Sequence, residues 1–154
     1  MTLITVGSGP DREKWIGLLE LADEPVPLRN DAQQGELYGL RDDHSRPRAA
    51  VLVIARSDSS AELRAVAVAE SDQGRGIGTR IVTEVLDRLH AAGIGRVVVG
   101  TASSGLRQLG FYQRLGFRLS HIERDFFVTE RGYPADLCEN GIRTRDMVWM
   151  DKPL

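Results

Sequence analysis

The chain has 154 residues, 42% of them hydrophobic and 27% charged, a composition that is typical of a globular protein and excludes a disordered or fibrous one. A formal net charge of −2 predicts no general attraction to nucleic acid, because nonspecific binding of phosphates requires a basic surface, so we expect no nucleic-acid partner. The length predicts one domain over residues 1–154, which buries a core without disulfides or metal ions.

Cysteine content and apolar runs bear on the compartment. Cys138 is the only cysteine, which excludes an internal disulfide and a Cys-rich metal site and agrees with a reducing environment. Residues 1–10 contain no basic side chain, and no run reaches the roughly 18 consecutive apolar residues of a membrane helix. We therefore expect a cytoplasmic protein without a membrane partner.

The first third of the chain predicts one helix and two strands. A helix over residues 10–22 opens at Pro10, because proline is tolerated in a first helical turn and acidic residues follow it near the positive helix end. Residues 23–35 contain two further prolines and no periodicity, which predicts a loop with one short helical turn at most. Such a loop would shape a substrate pocket. Antiparallel strands are predicted at residues 36–41 and 48–56.

The middle of the chain predicts a βαβ unit. A strand is predicted over residues 62–68 and an amphipathic helix over residues 77–89, with a glycine-rich turn between them. The helix leads into a strand at residues 96–101, whose three consecutive valines suit a buried parallel strand. The two strands are therefore expected to lie in one sheet.

The last part predicts one short helix and two long strands. Apolar residues recur at helical spacing over residues 106–115, which places Tyr112 on the inward face. Gly116 would end this helix, because it adopts a left-handed conformation at no steric cost. Long strands are predicted at residues 117–128 and 142–150.

The glycine-rich turn reads Gln-Gly-Arg-Gly-Ile-Gly at residues 73–78. Its alternating glycines remove side chains from the turn, so that successive backbone N–H groups can point at one anion. The unpaired N–H groups and the positive dipole at the start of the following helix strengthen this attraction. The turn therefore predicts a pyrophosphate-binding site.

Other interpretations of this turn exist. A phosphate-binding ATPase loop ends in Gly-Lys-Ser/Thr, whereas Thr79-Arg80 follows Gly78 here. A dinucleotide fingerprint requires Gly-x-Gly-x-x-Gly, and Gly74, Gly76 and Gly78 have a different spacing. Both nucleotide sites are therefore disfavoured. On the turn alone, a glycine bend that packs closely and binds nothing is an equal alternative.

Several segments match the pattern of one known family. Gln73, Gly76 and Gly78 fit a cofactor turn of the form Gln or Arg, two residues, Gly, any residue, Gly or Ala. Residues 66–68 are similar to the strand segment before that turn, and LGFYQRLGF at residues 109–117 is similar to a helix-to-strand signature. The chain thus resembles the GCN5-related N-acetyltransferases (GNAT) along nearly its whole length, and most of all a bacterial subgroup of small single-domain members.

The resemblance implies a mixed α/β (α+β) fold, the acyl-CoA N-acyltransferase fold, with a central, mostly antiparallel sheet, flanking helices and a splayed pair of parallel strands. Acetyl-CoA would lie between the splayed strands, and no metal is implied. Ser103 stands where the subgroup usually has asparagine, so its contact is expected to be weaker or water-mediated. The implied cofactor-binding residues are Val66, Ala67, Val68, Gln73, Gly74, Arg75, Gly76, Ile77, Gly78, Thr79 and Ser103.

The family's chemistry implies direct transfer, in which a neutral amine attacks the thioester and the CoA thiolate leaves. Tyr112 matches the family's proton donor, and its alternative is a core tyrosine bonded to a backbone carbonyl. Glu62 matches a position where members carry a carboxylate that takes the amine proton through water, and its alternative is a solvated strand-end charge. Gly100 removes the glutamate that some relatives use instead. His121 is the reserve base, with a surface histidine as its alternative.

The implied function is an N-acetyltransferase that acts on a primary amine of a small molecule or a peptide. A non-catalytic acyl-CoA-binding or protein-interaction module of the same fold is the alternative, which Ser103 and the unassigned base would suit. The acceptor cannot be read from the sequence. Met147 and Trp149 suit either the open sheet edge or face of a homodimer, or the core of one chain, and the sequence leaves both interpretations open.

Overall fold

The computed structural model describes residues 1–57 and 59–154, which form four α-helices and nine strands. The helices alternate with strands through most of the chain and are absent from its last quarter. In chain order the elements are β1 (Thr2–Val6), α1 (Arg12–Leu19), α2 (Pro25–Ala32), β2 (Glu36–Arg41), β3 (Pro47–Ser57), β4 (Ser60–Val68), α3 (Ile77–Ala91), β5 (Arg96–Ala102), α4 (Leu106–Arg114), β6 (Arg118–Glu123), β7 (Cys138–Glu139), β8 (Ile142–Arg143) and β9 (Met147–Pro153).

Seven strands form one mixed sheet in the order β1-β2-β3-β4-β5-β9-β6. Each neighbouring pair is antiparallel except β4 and β5, which run parallel. The α3 crossover between β4 and β5 accounts for that exception, because parallel neighbours need a long connection. The expected mixed sheet, mostly antiparallel and flanked by helices, is confirmed.

The parallel pair is joined along only part of its length. Pairing runs from Ser60 opposite Arg96 to Leu63 opposite Val99. Beyond Leu63, β4 stays paired with β3, while β5 stays paired with β9. The two strands therefore separate into a fork whose inner edges keep unpaired backbone groups. This is the splayed pair of parallel strands that the family resemblance implied.

Helices cover both faces of the sheet. The apolar side of α3 packs with alternate residues of β2 and β3, including Tyr38 and Val51, in one core cluster. Helices α1 and α2 pack with the intervening residues, including Leu37 and Leu52, in a second cluster. Since side chains alternate across a strand, the two clusters lie on opposite faces.

The N-terminal part corrects two predictions. Helix α1 covers Arg12–Leu19 only, which is shorter than residues 10–22. Residues 23–35 are not a loop, because Pro25–Ala32 forms α2. Both prolines lie in the first turn of α2, where a missing N–H costs no intrahelical bond, so they start the helix rather than interrupt it.

Two predictions for the C-terminal part of the chain are also wrong. The strand predicted at residues 117–128 ends at Glu123, and Asp125 then adopts a left-handed φ of 56°. The strand predicted at residues 142–150 divides into β8 and β9, which pair with different strands. Because β9 lies inside the sheet and Met147 and Trp149 are buried, these side chains do not occupy an open edge. The strands and helices predicted between residues 36 and 115 are confirmed to within two residues at each end.

Candidate active site

The glycine turn connects the end of β4 to the start of α3. A short 3-10 turn over Glu70–Asp72 precedes it, and Gly74 and Gly76 have φ angles of 73° and 77°. A Cβ on either glycine would meet no atom within 4 Å, so the turn faces open space. Because α3 begins at Ile77, the N–H groups of its first turn have no partner within the helix and are directed at this space. The geometry suits an anion.

A cleft of about 530 Å³, here called the turn cleft, lies between this turn, β4 and α4. Its far wall is formed by α4, which contributes Phe111 and Tyr112. Nine of the residues that the sequence predicted to bind the cofactor line this cleft. They are Val66, Ala67, Val68, Gln73, Gly74, Gly76, Ile77, Gly78 and Thr79.

Two predicted cofactor residues lie outside the lining of the turn cleft. The side chain of Arg75 is 70% exposed at the rim, with Nη1 3.6 Å from Asp72 Oδ1. Ser103 donates its backbone N–H to Asp146 O at 2.9 Å and follows the end of β5. By contrast, Gln73 Nε2 donates to Val68 O at 3.1 Å, which ties the turn to the end of β4.

A buried ion pair that sequence reasoning missed supports the turn. Asp72 is 1% exposed, and Arg48 Nη2 on β3 donates to its Oδ1 at 2.7 Å. Arg48 Nε lies 2.6 Å from Oδ2 at an angle poor for a hydrogen bond. The hydrogen bond from Arg48 lowers the pKa of Asp72, so the pair stays charged. The residue before the glycine turn is thereby fixed to the sheet.

A second cleft, here called the fork cleft, has a volume of about 450 Å³ and opens where β4 and β5 separate. Strand β4 contributes Leu63 to Val66 and β5 contributes Gly100 to Ala102. The segment after α1 and the loops around β7 and β8 close it. The residues that line both the turn cleft and the fork cleft are Leu21, Ala22, Val66, Gln108 and Tyr112, so Val66 and Tyr112 lie at the junction of the two clefts.

Tyr112 is a buried residue of α4 with 7% exposure. Its ring packs edge-on against Phe111 at 5.0 Å and against Phe117 at 5.7 Å between centroids. Burial raises the pKa of the phenol above its ordinary value, so the hydroxyl keeps its proton near neutral pH. Tyr112 is thus a neutral O–H group between the two clefts, which is the state that a proton donor needs.

Glu62 lies on β4 before the fork and is 9% exposed, so it is not a solvated strand-end charge. It lines a third cleft of about 650 Å³, here called the carboxylate cleft, together with Arg56, Arg64 and Trp149. Burial raises the pKa of Glu62, while Arg56 and Arg64 act to lower it. Arg56 Nη2 lies 2.8 Å from Glu62 Oε2. A carboxylate whose pKa is raised by burial can accept a proton more readily than a solvated one.

Arg64 links the fork cleft to the carboxylate cleft, because it lines both, as does Tyr133. Its Nη1 and Nε lie 2.5 Å from Asp23 and from Asp31 respectively. Burial acts to lower the pKa of Arg64, but the two carboxylates outweigh it and raise that pKa. Arg64 therefore attaches α2 and the segment after α1 to the strand that bears Glu62.

The comparisons with known proteins agree with this geometry. Residues 11–117 match the family model described as the acetyltransferase (GNAT) family. The chain belongs to the GNAT family. It is 35% identical over 132 residues, 85% of this chain and 83% of its relative, to YvbK of Bacillus subtilis, an N-acetyltransferase described as uncharacterized.

Two solved GNAT structures are similar over nearly the whole chain. An acetyltransferase from Elizabethkingia anophelis with acetyl-CoA bound is 29% identical, with a TM-score of 0.87 and coverage of 99% of this chain and 97% of that one. An acetyltransferase from Bacillus subtilis in complex with CoA is also 29% identical, with a TM-score of 0.86 and the same coverage. As a GNAT member, this protein is an acyltransferase that uses acetyl-CoA.

Gly100 and His121 are the two other positions that the sequence analysis weighed for the general base, and both have structural roles in this GNAT chain. A Cβ on Gly100 would lie 2.9 Å from both Met147 Sδ and Trp149 Cζ3, so the glycine leaves room for those side chains. His121 is exposed on β6 and stacks on Trp149 at 6.2 Å between centroids. It lies outside the linings of the turn, fork and carboxylate clefts.

Residues 1–57 and 59–154 form neither a cluster of metal ligands nor a membrane-spanning helix. Within these ranges, no group of three or more His, Cys, Asp or Glu side chains is placed to hold a metal ion. None of the helices that the described residues form combines the length and the apolar character needed to span a bilayer.

Proposed function

We propose that this GNAT enzyme transfers the acetyl group of acetyl-CoA directly to a primary amine of a small molecule or a peptide. The observation that carries the proposal is the meeting of the turn cleft and the fork cleft at Val66 and Tyr112. A cofactor in the first cleft and an amine in the second would bring their reacting atoms together at this junction. A direct transfer needs such a meeting point.

The cofactor is held mainly by backbone groups in this proposal. The N–H groups of residues 74–79 bind the pyrophosphate at the N-terminus of α3, and Arg75 adds charge from the rim. The pantetheine arm lies along the unpaired edge of β4, where Val66 and Val68 hydrogen-bond it as an additional strand would. Ala67 separates those two residues in the strand, and Ser103 stays outside direct contact.

The chemistry uses one proton acceptor and one proton donor. The ammonium group of the acceptor gives one proton to Glu62, which later releases it to solvent. The neutral amine attacks the thioester carbonyl, so that a C–N bond forms, and the nitrogen releases its second proton to solvent. The C–S bond then breaks, and Tyr112 gives its proton to the departing sulfur. Glu62 lines the carboxylate cleft rather than the fork cleft, so the proton of the amine reaches Glu62 through water. The route runs beside Arg64 and Tyr133, which line both clefts. The tyrosinate, a strong base, recovers a proton from solvent.

Charge in the fork cleft supports a cationic acceptor. The acidic residues that line it are Glu20, Asp23, Glu24 and Glu139, against the single basic residue Arg64. Asp23 pairs with Arg64, and Glu20 pairs with Arg29 outside the cleft. Among the described residues, Glu24 and Glu139 form no ion pair. Such a surface attracts ammonium groups and repels anions.

The proposal is tested by a screen of acceptors with the purified chain. Alkylamines, polyamines, aminoglycosides and peptides with free N-termini are each incubated with acetyl-CoA, and thiol release is measured. We expect turnover with at least one cationic amine and none with its N-acetylated or carboxylate counterpart. Binding of CoA by calorimetry without turnover for any acceptor would support a non-catalytic acyl-CoA-binding module instead.

A variant tests the assignment of the base. Glu62→Gln removes the proton acceptor and keeps the side-chain size, so we expect turnover to fall by roughly 10² to 10⁴-fold, the usual contribution of one such group. Affinity for CoA should not change, because Glu62 lies outside the turn cleft. Wild-type turnover at every pH would remove Glu62 from the mechanism.

A further inference from the structure

Arg56, which the mechanism above does not use, contacts both Glu62 and Trp149. Its Nη2 lies 2.8 Å from Glu62 Oε2, and its guanidinium carbon lies 5.1 Å from the centroid of the Trp149 ring. Arg56 belongs to β3, Glu62 to β4 and Trp149 to β9, so the arginine extends across the sheet. A guanidinium over an indole face is attracted to it, so Trp149 helps to fix where Arg56 lies.

The position of Trp149 is itself fixed by its neighbours. Gly100 is its register partner on β5, and the absence of a side chain there lets the indole lie against the strand. The indole Nε1 donates to Glu123 Oε1 at 3.4 Å, and the His121 ring stacks on the indole at 6.2 Å between centroids. Trp149 is therefore a rigid support for the arginine.

Glu62 needs a cation because burial disfavours its charged form. The charged groups that face it in the carboxylate cleft come from every element around it: Arg56 from β3, Arg64 from β4, Asp31 from α2, Glu123 from β6, and Arg131 from the turn that follows β6. Arg64 is held by Asp23 and Asp31, and Arg131 pairs with Glu123 at 3.3 Å. Among the described residues, Arg56 is the cation in an ion pair with Glu62.

We propose that Arg56 is a positioning residue for the acetyl transfer: it keeps Glu62 negatively charged in the carboxylate cleft and orients Oε2, while Trp149 keeps Arg56 in place. This inference rests on the proposed role of Glu62 as the base. It assigns the contact between Arg56 and Glu62 a role in catalysis beyond the stability of the hairpin between β3 and β4.

The consequence is a pH dependence with a definite sign. An opposite charge nearby lowers the pKa of a carboxyl group, so removing Arg56 raises the pKa of Glu62. Glu62 then stays protonated to a higher pH, and a protonated carboxyl cannot accept the proton of the amine. The acidic limb of kcat/KM therefore moves to higher pH, while activity returns at alkaline pH.

The experiment compares pH profiles of kcat/KM for the wild type and Arg56→Gln with one acceptor found in the screen. We expect the acidic limb to move upward by about one pH unit or more, which lowers kcat/KM roughly tenfold on that limb. Titration of the acceptor is the same for both proteins and cancels in the comparison. Arg56→Lys, which keeps the positive charge, should restore the acidic limb most of the way to its wild-type position.

Arg131→Gln is the matched control, because Arg131 lines the same cleft but pairs with Glu123. We expect its acidic limb to coincide with that of the wild type. Trp149→Leu, which removes the support of Arg56, should move the limb in the same direction by less. The pH profile of Trp149→Leu tests the inference if thermal unfolding shows that Arg56→Gln does not fold.

Three outcomes overturn the inference. A loss of kcat/KM that is equal at every pH would make Arg56 a structural residue only, and an unmoved limb would show that it does not act on Glu62. If Glu62→Gln abolishes turnover while the limb of Arg56→Gln stays in place, this inference fails and the proposed base stands. If Glu62→Gln keeps wild-type turnover, both this inference and the proposed role of Glu62 as the base fail.

Discussion

The turn cleft and the carboxylate cleft recognise charge by different means. In the proposed binding mode the turn cleft offers backbone groups of one segment, residues 66–79, in which Gly74 and Gly76 adopt left-handed conformations. The carboxylate cleft is lined by side chains from β3, β4, β6, β9 and α2, which include acids, arginines and an aromatic ring. A backbone site depends on few residue identities, whereas a side-chain site can be retuned by single substitutions. The difference explains why the sequence indicates the cofactor turn more readily than the surroundings of the proposed base Glu62.

Among three substitutions in and around the turn cleft, the largest effect is expected at the backbone site. Gly76→Asp places a carboxylate where the pyrophosphate approaches the N–H groups, and it strains a residue whose φ is 77°. We expect CoA to bind roughly 100-fold more weakly or not at all, which calorimetry measures.

The control for this change is Gly93→Asp. Gly93 has a similar left-handed φ of 91° and equally open space around a Cβ, but it follows the far end of α3. Its strain should therefore be comparable and its CoA affinity unchanged. Equal affinities for the wild type and Gly76→Asp would mean that the turn does not hold the pyrophosphate.

The next effect is expected where the two clefts meet. Tyr112→Phe removes the hydroxyl and keeps the ring packed against Phe111 and Phe117, so folding and CoA affinity should be preserved. We expect kcat to fall about 10²-fold, as for the loss of one proton donor. Tyr38→Phe, a buried tyrosine outside all three clefts, is the control. A kcat for Tyr112→Phe equal to that of the wild type over the whole pH range would exclude the donor role.

The smallest of the three effects concerns the support beneath the turn. Asp72→Asn breaks the charge pair with Arg48, so the turn loses its attachment to β3. We expect the Kd of CoA to rise roughly tenfold, the size of one charge-assisted hydrogen bond, with kcat at saturating acetyl-CoA near that of the wild type. Asp151→Asn, which breaks a pair with Arg96 outside the turn cleft, should leave the Kd as it is. A lowered kcat with an unchanged Kd would contradict the supporting role.

Features that depend on local sequence were predictable. The strand, glycine turn and helix over residues 60–91 follow from periodicity and glycine spacing, and the structure keeps them in that order. The left-handed end of α4 at Gly116 was predictable for the same reason, since its φ is 93°. The exception is α2, because the sequence does not distinguish prolines that begin a helix from prolines that interrupt one.

Features that depend on distant pairing were not predictable. Arg48 and Asp72 are separated by 24 positions and meet only because β3 and β4 are paired throughout. Nor does periodicity show that β9 lies between β5 and β6, or that its Trp149 needs Gly100 opposite. One signal existed for Arg56 and Glu62, since opposite charges in consecutive antiparallel strands often pair. The irregular register between these strands hides which residues face each other.

The insertion of β9 between β5 and β6 also constrains how the chain is made. As a nascent polypeptide leaves the ribosome, β1 to β5 can assemble in order of synthesis, but β6 must wait until residues 147–153 have emerged. During that interval the outer edge of β5 offers unpaired backbone groups to other unfinished chains. Vectorial synthesis therefore leaves the half of the sheet that bears Trp149 as the last to become native and the most exposed to misassembly.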